Sequence, residues 1–209
     1  MTPAANASPV TPDVAPSERT LAARIGAVLF RHRGYLPVPL LIGPLFIPGT
    51  QRASTWIGGA LLVALGEAVR VAGVAAAGTV TRRRSREVQR LVTYGIFAWT
   101  RNPLYVGNFL AWLGVTIASG VLWFLPVTIL LFAFEYSLIV RFEEGVLEST
   151  FGDEYLAYKR RTPRWVARPP AVRERGPHAW ADARRSERST LVAYAAIAAA
   201  LAAKHALLR

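Results

Sequence analysis

The 209-residue chain has no cysteine, one methionine and three histidines, and its 13 acidic residues face 25 lysines and arginines. Without cysteine there is no disulfide, no thiolate metal site and no cysteine nucleophile. The histidines are scattered, so no metal centre is expected. Charge is scarce at 18%, 53% of residues are hydrophobic, and yet the formal net charge is +12. That combination points away from an ordinary soluble domain. It also argues against a nucleic-acid partner, because the arginines sit beside long apolar runs rather than along one solvated face. A membrane protein with basic cytoplasmic loops fits better. Residues 1–20 lack both the basic start and the apolar run of a signal peptide, and their Pro, Ala, Ser and Thr content reads as a disordered tail.

A helix needs roughly 20 apolar residues to cross a bilayer core about 30 Å thick. Four or five stretches approach this. The first, near 35–49, contains four prolines that predict an irregular helix, and "LAARIGAVLFRHR" before it can add turns. The second, near 54–79, is rich in Gly and Ala, which suits close helix packing. Residues 104–140 carry one charged side chain, Glu135, and are long enough for two helices. The turn is expected at "ASG", residues 118–120, with Pro126 just inside the returning helix. A last run, 190–203, is short and Ala-rich and reads as a fifth span rather than an interfacial helix. The expected architecture is therefore all-α, a polytopic bundle of four or five spans. It divides into a tail at 1–20, a membrane domain at 21–168, a basic linker at 169–189 and an apolar helix at 190–209.

Lys and Arg near span ends set the orientation. "RHR" at 31–33 precedes the first span, "TRRRSREVQR" at 81–90 follows the second, and ten Lys or Arg lie between Lys159 and Arg188. The opposite loops hold Arg52 alone. The N-terminus and the segments 80–103 and 141–189 are thus expected on the cytoplasmic side, where all the polar motifs fall.

One motif is "TRNPLYVGN", residues 100–108. As plain structure, Asn102 caps a helix, Pro103 occupies its first turn and Arg101 snorkels to headgroups. This leaves Tyr105 and Asn108 on the same helix face as Arg101, and polar groups facing a membrane bundle need partners. The other motif is "VRFEEGVLESTFGDEYLAYKRRTPRW", residues 140–165, in which an exit helix carries Glu143 and Glu144 to the surface and breaks at Phe151 and Gly152. Glu148, Asp153 and Glu154 read as a solvated face. Glu67 and Arg70, three residues apart within the second span, are expected to pair. Glu135 lies two helical turns before Glu143 and could extend a site toward the bilayer.

Taken in order, "LVTYGIFAWTRNPLYVGN", a two-helix hairpin and "EEGVLESTFGDEYLAYKRRTPRW" closely resemble the isoprenylcysteine carboxyl methyltransferase and phospholipid methyltransferase superfamily of integral-membrane enzymes. Members show a Gly-Pro-Tyr-like turn, Arg-His-Pro-x-Tyr-x-Gly, Glu-Glu-x-x-Leu, Phe-Gly-x-x-Tyr-x-x-Tyr and Pro-Arg. The resemblance covers about residues 56–166, with Asn102 where the family usually has His and Ile96-Phe97 where it often has Pro-Tyr.

The resemblance implies an S-adenosylmethionine-dependent methyltransferase whose cofactor lies between the hairpin's cytoplasmic end and the C-terminal segment. Gly95, Asn102, Pro103, Tyr105 and Gly107 would line it from one side, and Glu143, Glu144, Tyr155 and Tyr158 from the other. Arg101, Glu144 and Arg164 would carry the catalytic roles. Carboxylates suit the cofactor's ammonium, arginines its carboxylate, and aromatics its adenine or sulfonium. The implied acceptor is lipidic or apolar, foremost a carboxylate. A phospholipid amine, a small thiol and a non-catalytic membrane protein that keeps the pocket remain alternatives. A protonated amine would need a base, for which Glu144 is the nearest candidate.

Single cysteines introduced near residues 51, 85, 119 and 165 test the arrangement. Labelling should place 85 and 165 on the cytoplasmic side and 51 and 119 opposite; finding 85 and 165 on different sides would break the single-site reading.

Overall fold

The computed structural model describes residues 21–35, 37–78, 90–171 and 174–207. The proposed N-terminal tail and nearly all of the arginine run at 81–90 lie outside these residues. The described chain is helical, with no β-strand among the described residues. Six helices follow in order: α1 Leu21–His32, α2 Pro37–Phe46, α3 Ala53–Ala77, α4 Pro103–Ala118, α5 Leu125–Arg161 and α6 Trp180–Leu207. One-turn 3-10 helices at Gly95–Ala98 and Leu122–Phe124 precede α4 and α5. Among the described residues, three helical stretches are long and apolar enough to cross a membrane: Ala53–Ala77, Leu122–Arg161 and Trp180–Leu207. Helix α4 is apolar but has 16 residues.

The bundle is organised around the antiparallel contact of α3 with α4. Gly59, Gly66 and Gly73 recur every seven residues on α3, and Gly107 and Gly114 do the same on α4. A Cβ added at Gly66 would come within 2.5 Å of the Gly107 carbonyl oxygen, and one at Gly107 within 2.5 Å of the Gly66 oxygen. Gly59 and Gly114 repeat this contact two turns away. The small residues of the second apolar run therefore lie on one stripe, and the stripe is the helix contact.

Three sequence expectations change in detail. The first span is two helices rather than one irregular one: α1 ends in a turn where Tyr35 N–H donates to the His32 carbonyl at 2.8 Å, and α2 restarts after it. Helix α5 is continuous from Leu125 to Arg161 except at Gly152, where φ of 49° and ψ of −124° bend it at the predicted break. Only glycine adopts that conformation without steric cost. Helix α6 begins at Trp180, inside the stretch read as a linker, and packs antiparallel along α3. Buried 183, 187, 201 and 204 and half-buried 190, 194 and 197 fall at alternating steps of four and three residues, with 186 and 205 half-buried beside them. This is the narrow seam of a helix that packs along α3 and, near its C-terminal end, against α2.

Gly58 and Gly107 provide a paired test of the α3–α4 contact, because nothing lies within 4 Å of a Cβ built at Gly58. Gly107→Ala should destabilise the protein by about 1–3 kcal/mol through overpacking. Gly58→Ala should be neutral or stabilising, since alanine is the better helix former. Thermal unfolding in detergent checks both; equal effects would exclude the seam as the organising contact.

Candidate active site

The polar motifs meet where the C-terminal ends of α3 and α5 approach the N-terminus of α4. The stretch after α5 is stitched to the stretch before α4 by backbone and side-chain bonds. Arg101 N–H donates to the Pro163 carbonyl at 2.9 Å, Arg168 N–H to the Trp99 carbonyl at 3.0 Å, and Thr100 Oγ1 to the Arg164 carbonyl at 3.1 Å. Asn102 Nδ2 donates to that same Arg164 carbonyl at 3.0 Å, and Tyr158 OH to the Phe97 carbonyl at 2.7 Å. Asn102 sits at the N-cap position of α4, yet its side chain makes no cap hydrogen bond. Its backbone carbonyl receives Tyr105 and Val106 N–H, and its amide is spent on the C-terminal segment. The simple capping role read for Asn102 is thereby corrected.

Held between these strands of chain is a buried carboxylate. Glu144 is 5% exposed. Arg164 meets it with two prongs, Nε to Oε1 at 3.0 Å and Nη2 to Oε2 at 2.5 Å. Arg101 Nη2 lies 3.1 Å from Oε1, and Lys159 Nζ lies 3.8 Å from Oε2 while also pairing with Glu148. Arg101 additionally donates through Nη1 to the Lys159 carbonyl at 3.3 Å. Its Nε is buried with no hydrogen-bond partner among the described residues. Tyr155, 1% exposed, packs with its ring 6.0 Å from that of Tyr158 beneath this cluster.

Adjacent Glu143 points elsewhere. Its Oε1 accepts from Tyr105 OH at 2.9 Å. One turn further along α4, Asn108 receives Arg70 Nη1 and donates through Nδ2 toward Tyr136 OH at 3.4 Å. Arg101, Tyr105 and Asn108 thus form one stripe whose members meet successive residues of the neighbouring helices at increasing depth.

Several sequence expectations fall outside the cluster. Gly107 faces Gly66 and Arg70 of α3, so its missing side chain admits a helix rather than a ligand. Pro103 is buried at the start of α4, within reach of Gly73. Gly95, with φ of 62°, begins the 3-10 turn, and a Cβ there would lie 2.7 Å from His178 Nε2. Glu135 Oε2 is buried with no hydrogen-bond partner among the described residues, apart from the Glu144 cluster. Glu67 and Arg70 do pair, at 3.4 Å. The sequence reading missed Lys159, submerged in a basic run, and the Tyr94–His178–Trp180 stack that seats the 174–179 segment on the end of α3. His178 and Trp180 lie outside the motif stretches, and Lys159 and Tyr94 lie within them at positions the family patterns leave unnamed.

Such an arrangement defines a class: a helical membrane protein whose polar groups gather at one end of an apolar hairpin. Comparison narrows it. The phospholipid methyltransferase family matches residues 54–154. Human protein-S-isoprenylcysteine O-methyltransferase is 36% identical over 123 residues, covering 52% of this chain and 40% of that protein. The nickel-cobalt-cadmium resistance protein NccN of Alcaligenes xylosoxydans xylosoxydans is 30% identical over 147 residues, 69% of this chain and 68% of that one. The cobalt-zinc-cadmium resistance protein CzcN of Cupriavidus metallidurans is 30% identical over 151 residues, 71% and 69% of the two chains. No solved structure gives a significant match. The chain belongs to the isoprenylcysteine carboxyl methyltransferase and phospholipid methyltransferase superfamily and is an integral membrane protein. It spans about two fifths of the length of the human relative.

A double-mutant cycle on Glu144→Gln and Arg164→Gln measures the closure of the site. The coupling should be about 1–2 kcal/mol, below that of a fully buried pair because the Arg164 side chain is 34% exposed. Hydrogen exchange in residues 162–168 should rise in either single variant. Additive effects and unchanged exchange would mean that the ion pair does not hold the segment.

Proposed function

We propose that this protein transfers a methyl group from S-adenosylmethionine to a carboxylate on a lipidic or otherwise apolar acceptor. The observation that carries the proposal is the buried Arg101–Glu144–Arg164 cluster, in which motifs from either side of the hairpin supply one carboxylate and two guanidiniums. The donor set fits the cofactor. Arg101 offers an unused, buried Nε–H, Arg164 a planar guanidinium oriented by Glu144, and Glu143 an acceptor oxygen for an ammonium. When bound, S-adenosylmethionine supplies an electrophilic methyl group on a sulfonium. Arg101 and Arg164 would hold its carboxylate end, Glu144 would keep the two guanidiniums oriented, and Tyr155 and Tyr158 would supply aromatic surface near by. Asn102 and Thr100 contribute by fixing the strand that carries Arg164.

The geometry favours a carboxylate acceptor over an amine. In-line methyl transfer to a carboxylate needs alignment and exclusion of water but no proton removal. A protonated amine needs a base. Both Glu144 oxygens already accept guanidinium N–H groups, so Glu144, the nearest candidate base, does not stand ready for that task. The similarity to an enzyme named for O-methylation of an isoprenylcysteine supports the same choice.

In the membrane, the reading has four spans, the first through α2 with the basic residues 31–33 before it and the next three through α3, α4 and α5, and α6 as a fifth. The N-terminus and the site face the cytoplasm. The basic stretch from Lys159 to Arg188 then lies against anionic headgroups.

Arg101→Lys tests the assignment, because lysine snorkels as well as arginine but cannot reproduce a two-pronged contact. Its affinity for S-adenosylmethionine, measured by calorimetric titration, should fall about ten- to a hundredfold, equivalent to about 1.5–3 kcal/mol, with a near-normal melting temperature. Labelled methyl should enter an S-prenylated cysteine in preference to a phospholipid amine. Wild-type cofactor affinity in the variant would return Arg101 to a structural role, and no cofactor binding by the parent protein would overturn the proposal.

A further inference from the structure

Helix α6 lies beyond the residues matched by the family, and it buries a carboxylate in its contact seam with α3. Glu187 is fully buried, between Ala183 on the turn before it and a stripe of Thr190, Tyr194, Ile197 and Leu201 after it. An apolar residue here would have met the packing need of a membrane helix at less cost, because burying an ion pair seldom stabilises more than well-packed hydrocarbon does. The carboxylate has a specific partner. Arg70 Nη2 donates to Glu187 Oε2 at 2.8 Å, while Glu67 lies 3.4 Å from Arg70 Nε.

The contacts continue from Arg70 toward the candidate site. Arg70 Nη1 donates to Asn108 Oδ1, which leaves the amide nitrogen of Asn108 directed at Tyr136 OH, 3.4 Å away. The Tyr136 ring lies 4.8 Å from that of Tyr105, and Tyr105 OH donates to Glu143 at 2.9 Å. A guanidinium has several ways to sit beside one carboxylate, and Glu67 is available on its own helix. Glu187 selects the orientation that aims Nη1 at Asn108, and an amide with a cation on its oxygen side has one orientation that suits both neighbours. The apolar hairpin wall beneath the charged cluster is where a lipidic acceptor would lie under the methyltransferase reading, and the Tyr105–Tyr136 pair belongs to that wall.

We propose that Glu187 is a positioning residue for methyl transfer: through Arg70 and Asn108 it fixes Tyr136 and Tyr105, and so the acceptor side of the site. The inference rests on the methyltransferase reading. It assigns α6 a part in turnover in addition to anchoring.

The test compares full-length Glu187→Gln, Asn108→Ala and the double variant in lipid vesicles. S-farnesylcysteine serves as the acceptor probe, with total membrane lipid extract as a second, and cofactor affinity and melting temperature are measured in parallel. Each single variant should lower kcat about tenfold with cofactor Kd within about twofold of the parent, and the double variant should fall no further, since both act through one chain of contacts. A merely structural Glu187 would change the melting temperature and leave kcat per folded molecule intact. Tyr136→Phe, which removes only a hydroxyl, gives a second route if Glu187→Gln does not fold, and it should show the same loss of kcat. Normal kcat in Glu187→Gln or in Tyr136→Phe would overturn the inference, as would multiplicative losses in the double variant. Failure of the parent protein to bind S-adenosylmethionine or to methylate either acceptor would instead remove the methyltransferase reading, and this inference with it.

Discussion

Close approach of α3 to α4 is the constraint from which the rest of the structure follows. Two helices whose backbones touch through Gly59, Gly66, Gly107 and Gly114 have almost no freedom to slide or rotate against each other, because a carbonyl on one sits where a Cβ would be on its neighbour. In lipid, where apolar side chains gain little by leaving their surroundings, such backbone-to-backbone packing supplies the specificity that the hydrophobic effect supplies in water. The seam fixes which face of α4 remains for α5. That face carries Tyr105 and Asn108, with Arg101 in the turn just before the helix.

The polar groups then form layers. Arg101 meets Glu144 at the end of the bundle, Tyr105 meets Glu143 below it, and Asn108 meets Tyr136 and Arg70 below that. Further along α4 the stripe becomes apolar and aromatic, with Phe109 and Trp112 against Phe132. The side chains of the stripe itself pass from a cation to neutral polar groups to aromatics, and the lower polar groups find partners on other helices, Arg70 with Glu67 and Glu187 among them. A wall that grades from ionic to aromatic suits a molecule with a polar end and a greasy one.

Much of this was legible in the sequence, for reasons that differ residue by residue. The hairpin turn near residues 118–120 and the bend at Gly152 follow from local chemistry, and both fall where composition places them. The convergence of "TRNP" on "TPRW" came from motif order rather than from local physics, since nothing local pairs an arginine with a glutamate 43 positions later. Asn102 misled because the capping preference of asparagine is a statement about isolated helix ends, and here a neighbouring strand competes for the same amide. Gly107 misled because a glycine marks close approach without saying whether a ligand or a helix approaches. Glu187 and His178 lay in a stretch that read as a charged connector, and only the three-dimensional path of α6 gives them partners.

The bend at Gly152 has a topological consequence. It folds the end of α5 back so that Glu144 is met by an arginine only 20 residues further along the same chain. Loop-closure entropy rises with the logarithm of contour length, so a ring this small re-forms at little entropic expense after it opens. The ring closes over the top of the bundle and is joined to the start of α4 through Thr100, Arg101 and Asn102. Opening and resealing that end breaks bonds at the rim of the bundle and leaves the glycine contact of α3 with α4 untouched, so admission of a water-borne molecule need not loosen the part of the protein that sits in lipid.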